Sequence, residues 1–164
     1  MTNEEYKALA TEYYEKTVAL MDKPDRTEDE NFEMINLSHA SCCFWTVCGT
    51  FLHIARGEWQ ISRVYSLLKM SDSALIHAER SLKICLTSMF RDFDLTLAYE
   101  AVARAHYLAG NYGQFFKHQI LAIETAQKVA DGADRAYCMN EIASIDEEEP
   151  EPVSFAAASA FLPH

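Results

Sequence analysis

A helical hairpin that returns after 41 residues constrains this chain more than any other feature of it. From Ile54 onward, Ile61, Val64, Tyr65, Leu67 and Leu68 recur at helical spacing among Arg56, Glu58, Gln60 and Arg63, which makes an amphipathic helix with a broad apolar face. Ser71 and Asp72 are good N-cap residues, and the pattern restarts behind them with Ala74, Leu75, Ala78, Leu82 and Cys85. Two helices joined by about four residues lie antiparallel. Advancing by 41 places Arg63 on Arg104, Tyr65 on His106, Leu67 on Leu108, His77 on His118 and Leu82 on Ile123, with Gly110 as a helix stop. A repeated pair of this kind cannot bury its apolar face alone, so neighbouring copies must stack.

The remaining chain supplies further helices. Thr2 with Glu5 and Thr27 with Glu30 are capping boxes, and each opens an amphipathic segment: one carries Tyr6, Leu9, Tyr13 and Leu20, the other Phe32, Ile35, Leu37, Phe44, Trp45 and Val47 up to Gly49. Residues 3–48 therefore read as a degenerate leading hairpin, 54–89 and 93–130 as the two clear copies, and 133–145 as a closing helix. Asp92 or Asp94 is expected to cap the helix that starts the second copy, and Asp131-Gly132 to close that copy. The segment 146–164 is an acidic, twice-prolined linker followed by a short apolar tail.

Only four Pro and five Gly interrupt 164 residues, which points to an all-α, single-domain protein with enough core to fold alone. The net charge of −11 is unevenly placed: residues 1–33 hold ten acids against four bases, and residues 146–151 hold five acids. Between Met34 and Ile145 ten acids meet ten bases. Duplex nucleic acid and anionic membrane surfaces need a basic face, so neither is an expected partner. Five cysteines, an odd number set in apolar helical patterns, read as reduced thiols of a cytoplasmic protein whose first residues show no signal peptide. No apolar run is long enough to span a bilayer.

The two copies resemble the tetratricopeptide repeat (TPR) family. Tyr65, Ala74, Ala78 and Ser81 look like that family's turn and small-residue seam, as do Ala103, Gly110, Tyr112 and Ala122 in the second copy. Phe115 stands where the family has a small residue, a closing Pro is missing, and the period is longer than the usual ~34. The segment ARGEWQISRVY is similar to one in bacterial TPR-like proteins, a likeness that implies no activity. The resemblance, which covers roughly Ile54 to Lys128, implies a right-handed α-solenoid of about seven helices. It also implies that the first helix of each pair lines a concave groove that binds a protein or peptide.

Carried over residue by residue, that groove face comprises Arg56, Trp59, Arg63 and Ser66 in the first copy and Leu97, Glu100, Arg104 and Tyr107 in the second. Two guanidiniums on adjacent helices can hold one acidic group with paired hydrogen bonds, while Trp59 and Tyr107 offer flat apolar contacts. A structural alternative has the arginines simply paired with Glu58 or Glu100. In a self-inhibited variant, the acidic residues after Ile145 would lie in the same groove.

Two other functional readings stand beside this one. The first is homodimer assembly through the aromatic first helix (Tyr6, Tyr13, Tyr14) or the apolar tail. The second is a small-molecule or metal-binding domain built on His39, Cys42, Cys43, Cys48 and His53, in which His39 and Cys43 are four apart and share a helical face. Phe44, Trp45 and Val47 sit among those ligands and no CxxC pair accompanies them, so packing cysteines account for the cluster better than a metal. With no oxyanion-hole signature, phosphate-cradling loop or dinucleotide fingerprint, neither an enzyme nor a cofactor is expected. His77 and His118 hold equivalent repeat positions, which suggests a shared structural task.

Overall fold

A computed structural model describes residues 1–147 and shows seven α-helices packed as consecutive antiparallel pairs. The helices are α1 (Asn3–Met21), α2 (Glu28–Cys48), α3 (Phe51–Leu67), α4 (Ser71–Thr87), α5 (Phe93–Leu108), α6 (Tyr112–Ala126) and α7 (Gly132–Ala143), with a 3-10 turn at Ser144–Glu147. Pairs α1/α2, α3/α4 and α5/α6 form hairpins, α4 stacks on α5, and α7 closes against α5 and α6. The all-α stack of hairpins is thus the fold. The acidic linker is expected from residue 146, but Asp146 and Glu147 belong to the 3-10 turn. The rest of that linker, the apolar tail and the self-inhibition reading concern residues 148–164 and lie outside the described residues.

Local chemistry explains most helix ends. Both capping boxes form: Thr2 Oγ1 accepts from the Glu5 N–H, Thr27 Oγ1 accepts from the Glu30 N–H, and each glutamate reaches back to the cap N–H. Arg26 donates through Nη1 to the carbonyls of Leu20, Met21 and Lys23, which satisfies the otherwise orphaned end of α1. The hairpin turns follow one geometry. Lys69 (φ 58°) and Gly110 (φ 73°) both adopt the left-handed conformation. The following N–H groups of Met70 and Asn111 donate back to the Tyr65 and His106 carbonyls, each at 2.9 Å. Lys69 and Gly110 are 41 residues apart, so the repeat extends to the backbone.

Two expected caps differ in position, and a third holds its position without a side-chain bond. Ser71 is already the first residue of α4, whose N-cap Met70 has no side-chain cap bond, because the left-handed turn at Lys69 sets the helix start instead. Asp92 is the N-cap of α5 but makes no side-chain cap bond, and Asp94 turns outward to Arg56. Asp131 opens α7 rather than closing the copy before it, accepting from the Asp134 N–H.

Small residues let the helices approach. Ala74, Ala78, Ala98, Ala101, Ala122 and Ala126 are all fully buried along the seams. A Cβ on Gly57 would stand 2.8 Å from Cys42 Sγ, so only glycine allows α3 to lie this close to α2. Buried serines tie paired helices by donating to partner carbonyls: Ser41 to Ala10, Ser62 to Ala74 and Ser81 to Ala55, at 2.7–2.8 Å. Phe115, the departure from the small-residue pattern, is 2% exposed and packs with Tyr107, Ala103 and Ile145, filling the space under the closing turn.

Candidate functional site

Helix α5 packs against both α3 and α7, and residues of these three helices form two successive layers, called the inner face below. The outer layer is apolar. Ala55 and Trp59 from α3, Phe93 and Leu97 from α5, Cys85 from α4, Tyr137 from α7 and Tyr14 from α1 line a cavity of about 190 Å³, with Arg56 and Asp94 paired on its wall. Gln60 Nε2 donates to the Tyr14 carbonyl at 3.1 Å and so fixes α1 against α3 there. Burial raises the Tyr14 hydroxyl above its ordinary value, against the pull of the Arg56 cation. Arg56 grips Asp94 with two bonds, Nε to Oδ1 at 2.8 Å and Nη2 to Oδ2 at 3.2 Å, while its side chain stays half exposed.

The second layer, one helical turn along, is charged. Arg104 is wholly buried: Nε donates to Glu100 Oε1 at 2.6 Å, and Nη2 donates to the Glu141 carbonyl at 2.9 Å and to Ser144 Oγ at 2.7 Å. Arg63 Nη2 stands 3.1 Å from Glu141 Oε2, and Nη1 is 3.9 Å from Glu100 Oε1. Both contacts are ion pairs rather than hydrogen bonds, the first by its alignment and the second by its length, and Arg63 Nη1 and Glu141 Oε2 count among the buried atoms that lack a hydrogen-bond partner. Trp59 Nε1, Gln60 Oε1, Arg63 Nε, Ser66 Oγ and Glu100 Oε2 share that condition among the described residues.

The inner-face residues read from the sequence therefore separate by role. Arg56, Trp59 and Leu97 line the cavity. Arg63, Ser66, Glu100 and Arg104 form the buried layer. Tyr107 lies apart, packed on Tyr112 and Phe115. The structure does bring Arg63 and Arg104 together, but onto two carboxylates of the same chain. Arg104, at 0% exposure, has no path to an outside acid. Helix α7 thus supplies internally the acidic group that the paired guanidiniums were expected to take from a partner. The inner-face pattern does not reach Tyr14, Phe93, Asp94, Tyr137 or Glu141. A signal for the last exists, since a step of 41 from Glu100 lands on Glu141.

A second polar cluster lies at the junction of α2, α3 and α4. Buried Glu58 receives Arg80 Nε at 2.9 Å and the Cys42 thiol at 3.8 Å, and His77 Nδ1 sits 2.6 Å from its other oxygen. His39 Nε2 is 3.0 Å from the Tyr65 hydroxyl, and its ring meets that of His77 edge-on. Burial pushes the Cys42 thiol up to about 12, with the Glu58 charge adding to it, so it remains a protonated filler. Cys43 is exposed while His39 is engaged by Tyr65, so the structure does not join these two. Among the described residues, no group of three or more His, Cys, Asp or Glu side chains is placed to hold a metal.

His77 and His118 share a ring contact but not a polar partner, since His77 Nδ1 meets the Glu58 carboxylate and His118 Nδ1 the Gln114 carbonyl of its own helix. Tyr65 stacks on His77 at 5.8 Å between centroids, and His106, its counterpart, packs on His118 at 5.6 Å. Tyr6 and Tyr13 of α1 each pack 5.8 Å from Phe44, so the aromatic first helix is turned into its own hairpin rather than outward. Among the described residues no helix is long and apolar enough to cross a membrane. No family model, no curated protein and no solved structure matches the chain.

Proposed function

We propose that this chain is a non-catalytic binding module, a TPR-like adaptor or regulator of the cytoplasm, that seats one side chain of a partner protein or peptide in the inner-face cavity. The observation that carries the reading is the cavity itself: about 190 Å³, walled by Tyr14, Trp59, Phe93, Leu97 and Tyr137. It exceeds the roughly 150 Å³ that suffices to bind benzene, so an aromatic ring or branched aliphatic side chain fits. The charges around it favour an uncharged anchor. Arg56 is matched by Asp94, and Arg63 with Arg104 by Glu100 with Glu141. An anchor bearing its own charge would upset that balance in a desolvated place. An acidic group elsewhere on the partner finds its donor in the half-exposed Arg56 at the rim. The one thiol on the wall, Cys85, is pushed up to about 12 by burial, which supports binding over covalent chemistry.

The test is selection from a displayed random-peptide library against the wild-type protein, followed by binding to Tyr137→Glu. Tyr137 is 43% exposed, so its replacement by Glu sets a charge against the cavity, with circular dichroism checking that the variant keeps its helices. Enriched peptides should share one apolar or aromatic position and lose at least about tenfold in affinity for the variant. Peptides that hold both proteins equally would place binding elsewhere.

One observation supports assembly as a second reading. Tyr112, Phe116 and Ile120 lie four apart along α6 and are 47%, 56% and 56% exposed, an apolar stripe suited to a second copy. Light scattering that gives a concentration-independent dimer, broken by Phe116→Lys/Ile120→Lys, would establish it; a monomer at all concentrations would remove it.

A further inference from the structure

We propose that the side chain the cavity selects is a phenol: a tyrosine of the partner, its ring against Trp59, Leu97 and Tyr137 and its hydroxyl in the charged layer one turn deeper. This rests on the reading of the inner face as a peptide site.

The two layers are continuous through shared residues. The Trp59 ring lines the cavity, and its Nε1 is one of the buried atoms without a partner. Tyr137 bridges the layers from the opposite helix. Its ring lines the cavity and its hydroxyl is pushed up to about 12, first by burial and then by the Glu141 charge. The cavity wall therefore carries one unmet donor, Trp59 Nε1, and a tyrosine within reach of the charges of Glu141, Arg63 and Glu100.

The unmet groups define the ligand's polar tip. Trp59 Nε1, Arg63 Nε and Arg63 Nη1 are donors, Glu100 Oε2 and Glu141 Oε2 are acceptors, and Ser66 Oγ can be either. A matching tip must donate and accept, carry no charge, and end a flat apolar body. A carboxylate only accepts, and it would add negative charge beside Glu100 and Glu141. An ammonium only donates, and it would add positive charge beside Arg63. Phenylalanine or leucine would fill the cavity and leave every unmet group as it was. A phenolic hydroxyl donates and accepts at once, and its ring stacks on the aromatic walls.

The layer can admit the hydroxyl without losing an aligned bond. Arg63 and Glu141 are paired by charge at 3.1 Å but not hydrogen-bonded, so the carboxylate can turn a lone pair to the phenol. Arg104 meanwhile holds the Glu141 carbonyl and Ser144, which keeps α7 in place.

The experiment uses the full ¹⁵N-labelled chain and its two indole N–H signals, from Trp45 and Trp59, assigned with Trp45→Phe. N-acetyl-tyrosinamide and N-acetyl-phenylalaninamide are titrated in turn. The tyrosine compound should shift the Trp59 indole signal and bind about tenfold more tightly, as one added hydrogen bond to a charged or buried partner allows. Trp59→Phe, which keeps a ring but removes the N–H, should cut that preference severalfold: both compounds lose the contact of the larger ring, and only the tyrosine compound also loses a hydrogen bond. Equal affinities for wild type, or tighter binding of phenylalanine, overturn the phenol assignment and leave the cavity reading standing. An undiminished preference in Trp59→Phe overturns the placement of the hydroxyl in this layer. If neither compound moves any cavity signal at its solubility limit, the cavity reading falls and the phenol falls with it.

Discussion

Arg104→Met is the sharpest probe of how the inner face is held. Methionine matches the length of the arginine stem and removes only the guanidinium. Arg104 is wholly buried and serves Glu100, the Glu141 carbonyl and Ser144 together. The Glu141 carbonyl keeps a donor after the change, because Ser144 Oγ donates to it at 2.7 Å. The cost therefore falls on the carboxylates: Glu100 and Glu141 are left with Arg63 alone, whose contacts with them are not aligned hydrogen bonds. Removing one partner of a buried pair costs about 3–5 kcal/mol, chiefly because the surviving charge stays desolvated. Against a total stability of about 5–15 kcal/mol this is a large share.

Urea unfolding followed by far-UV circular dichroism measures it. At about 2–4 °C per kcal/mol for a domain of this size, the melting temperature should fall by roughly 6–20 °C. The double variant Arg104→Met/Glu100→Gln leaves Arg63 facing Glu141 one to one. It should therefore be more stable than the sum of the single changes allows, by about 0.5–3 kcal/mol of coupling. Arg104→Met within about 1 kcal/mol of wild type, or strict additivity in the double, would refute the claim that these four charges act as one buried unit.

Three further perturbations test other parts of the fold. Gly57→Ala should cost about 1–3 kcal/mol in urea unfolding, since its Cβ would land 2.8 Å from Cys42 Sγ, and Cys42→Ala should recover part of it. Gly110→Ala should cost about 1 kcal/mol through its positive φ alone, nothing lying within 4 Å of the added carbon. Acid should weaken the protein through His39 and His106. Both are held below the ordinary histidine value, first by burial and then by the imidazoles of His77 and His118. A folded pKa below the unfolded one means the native state favours the neutral ring. That contribution is whole above about pH 6.5 and is lost as pH falls through the folded values. The melting temperature should drop between about pH 7 and pH 5, and His39→Gln/His106→Gln should flatten the drop; an unchanged slope would count against the assignment.

The repeat was legible because it is written in side chains and backbone alike. The offset of 41 that relates Arg63 to Arg104 also relates the left-handed Lys69 to Gly110, and the Tyr65–His77 contact to the His106–His118 contact. The hairpin starts were less legible. Ser71 and Asp94 are residue types suited to capping, yet one is preceded by a turn that already fixes the helix start and the other is drawn off by Arg56 across the groove. Local propensity cannot weigh a partner 38 residues away in sequence against a cap within the same turn.

The site shows the same limit at larger scale. An arginine on the inner face of a first helix reads identically whether its carboxylate comes from a partner or from the next helix of the same chain. What separates the two cases is whether a further first helix follows to cover it. Arg56 has Asp94 beside it and remains half exposed, whereas Arg104 lies under α7 and is sealed. Helix α7 is shorter than the helices before it, and its faint match to their pattern suggests only a cover for apolar surface. Its placement makes it more than that, because Glu141 completes the charge balance and Tyr137 completes the cavity wall. The closing helix therefore converts a face that would attract anions into a neutral, aromatic one. On the binding reading proposed above, the chemistry of the site is decided by the last described helix, not by the two clear repeats that announce it.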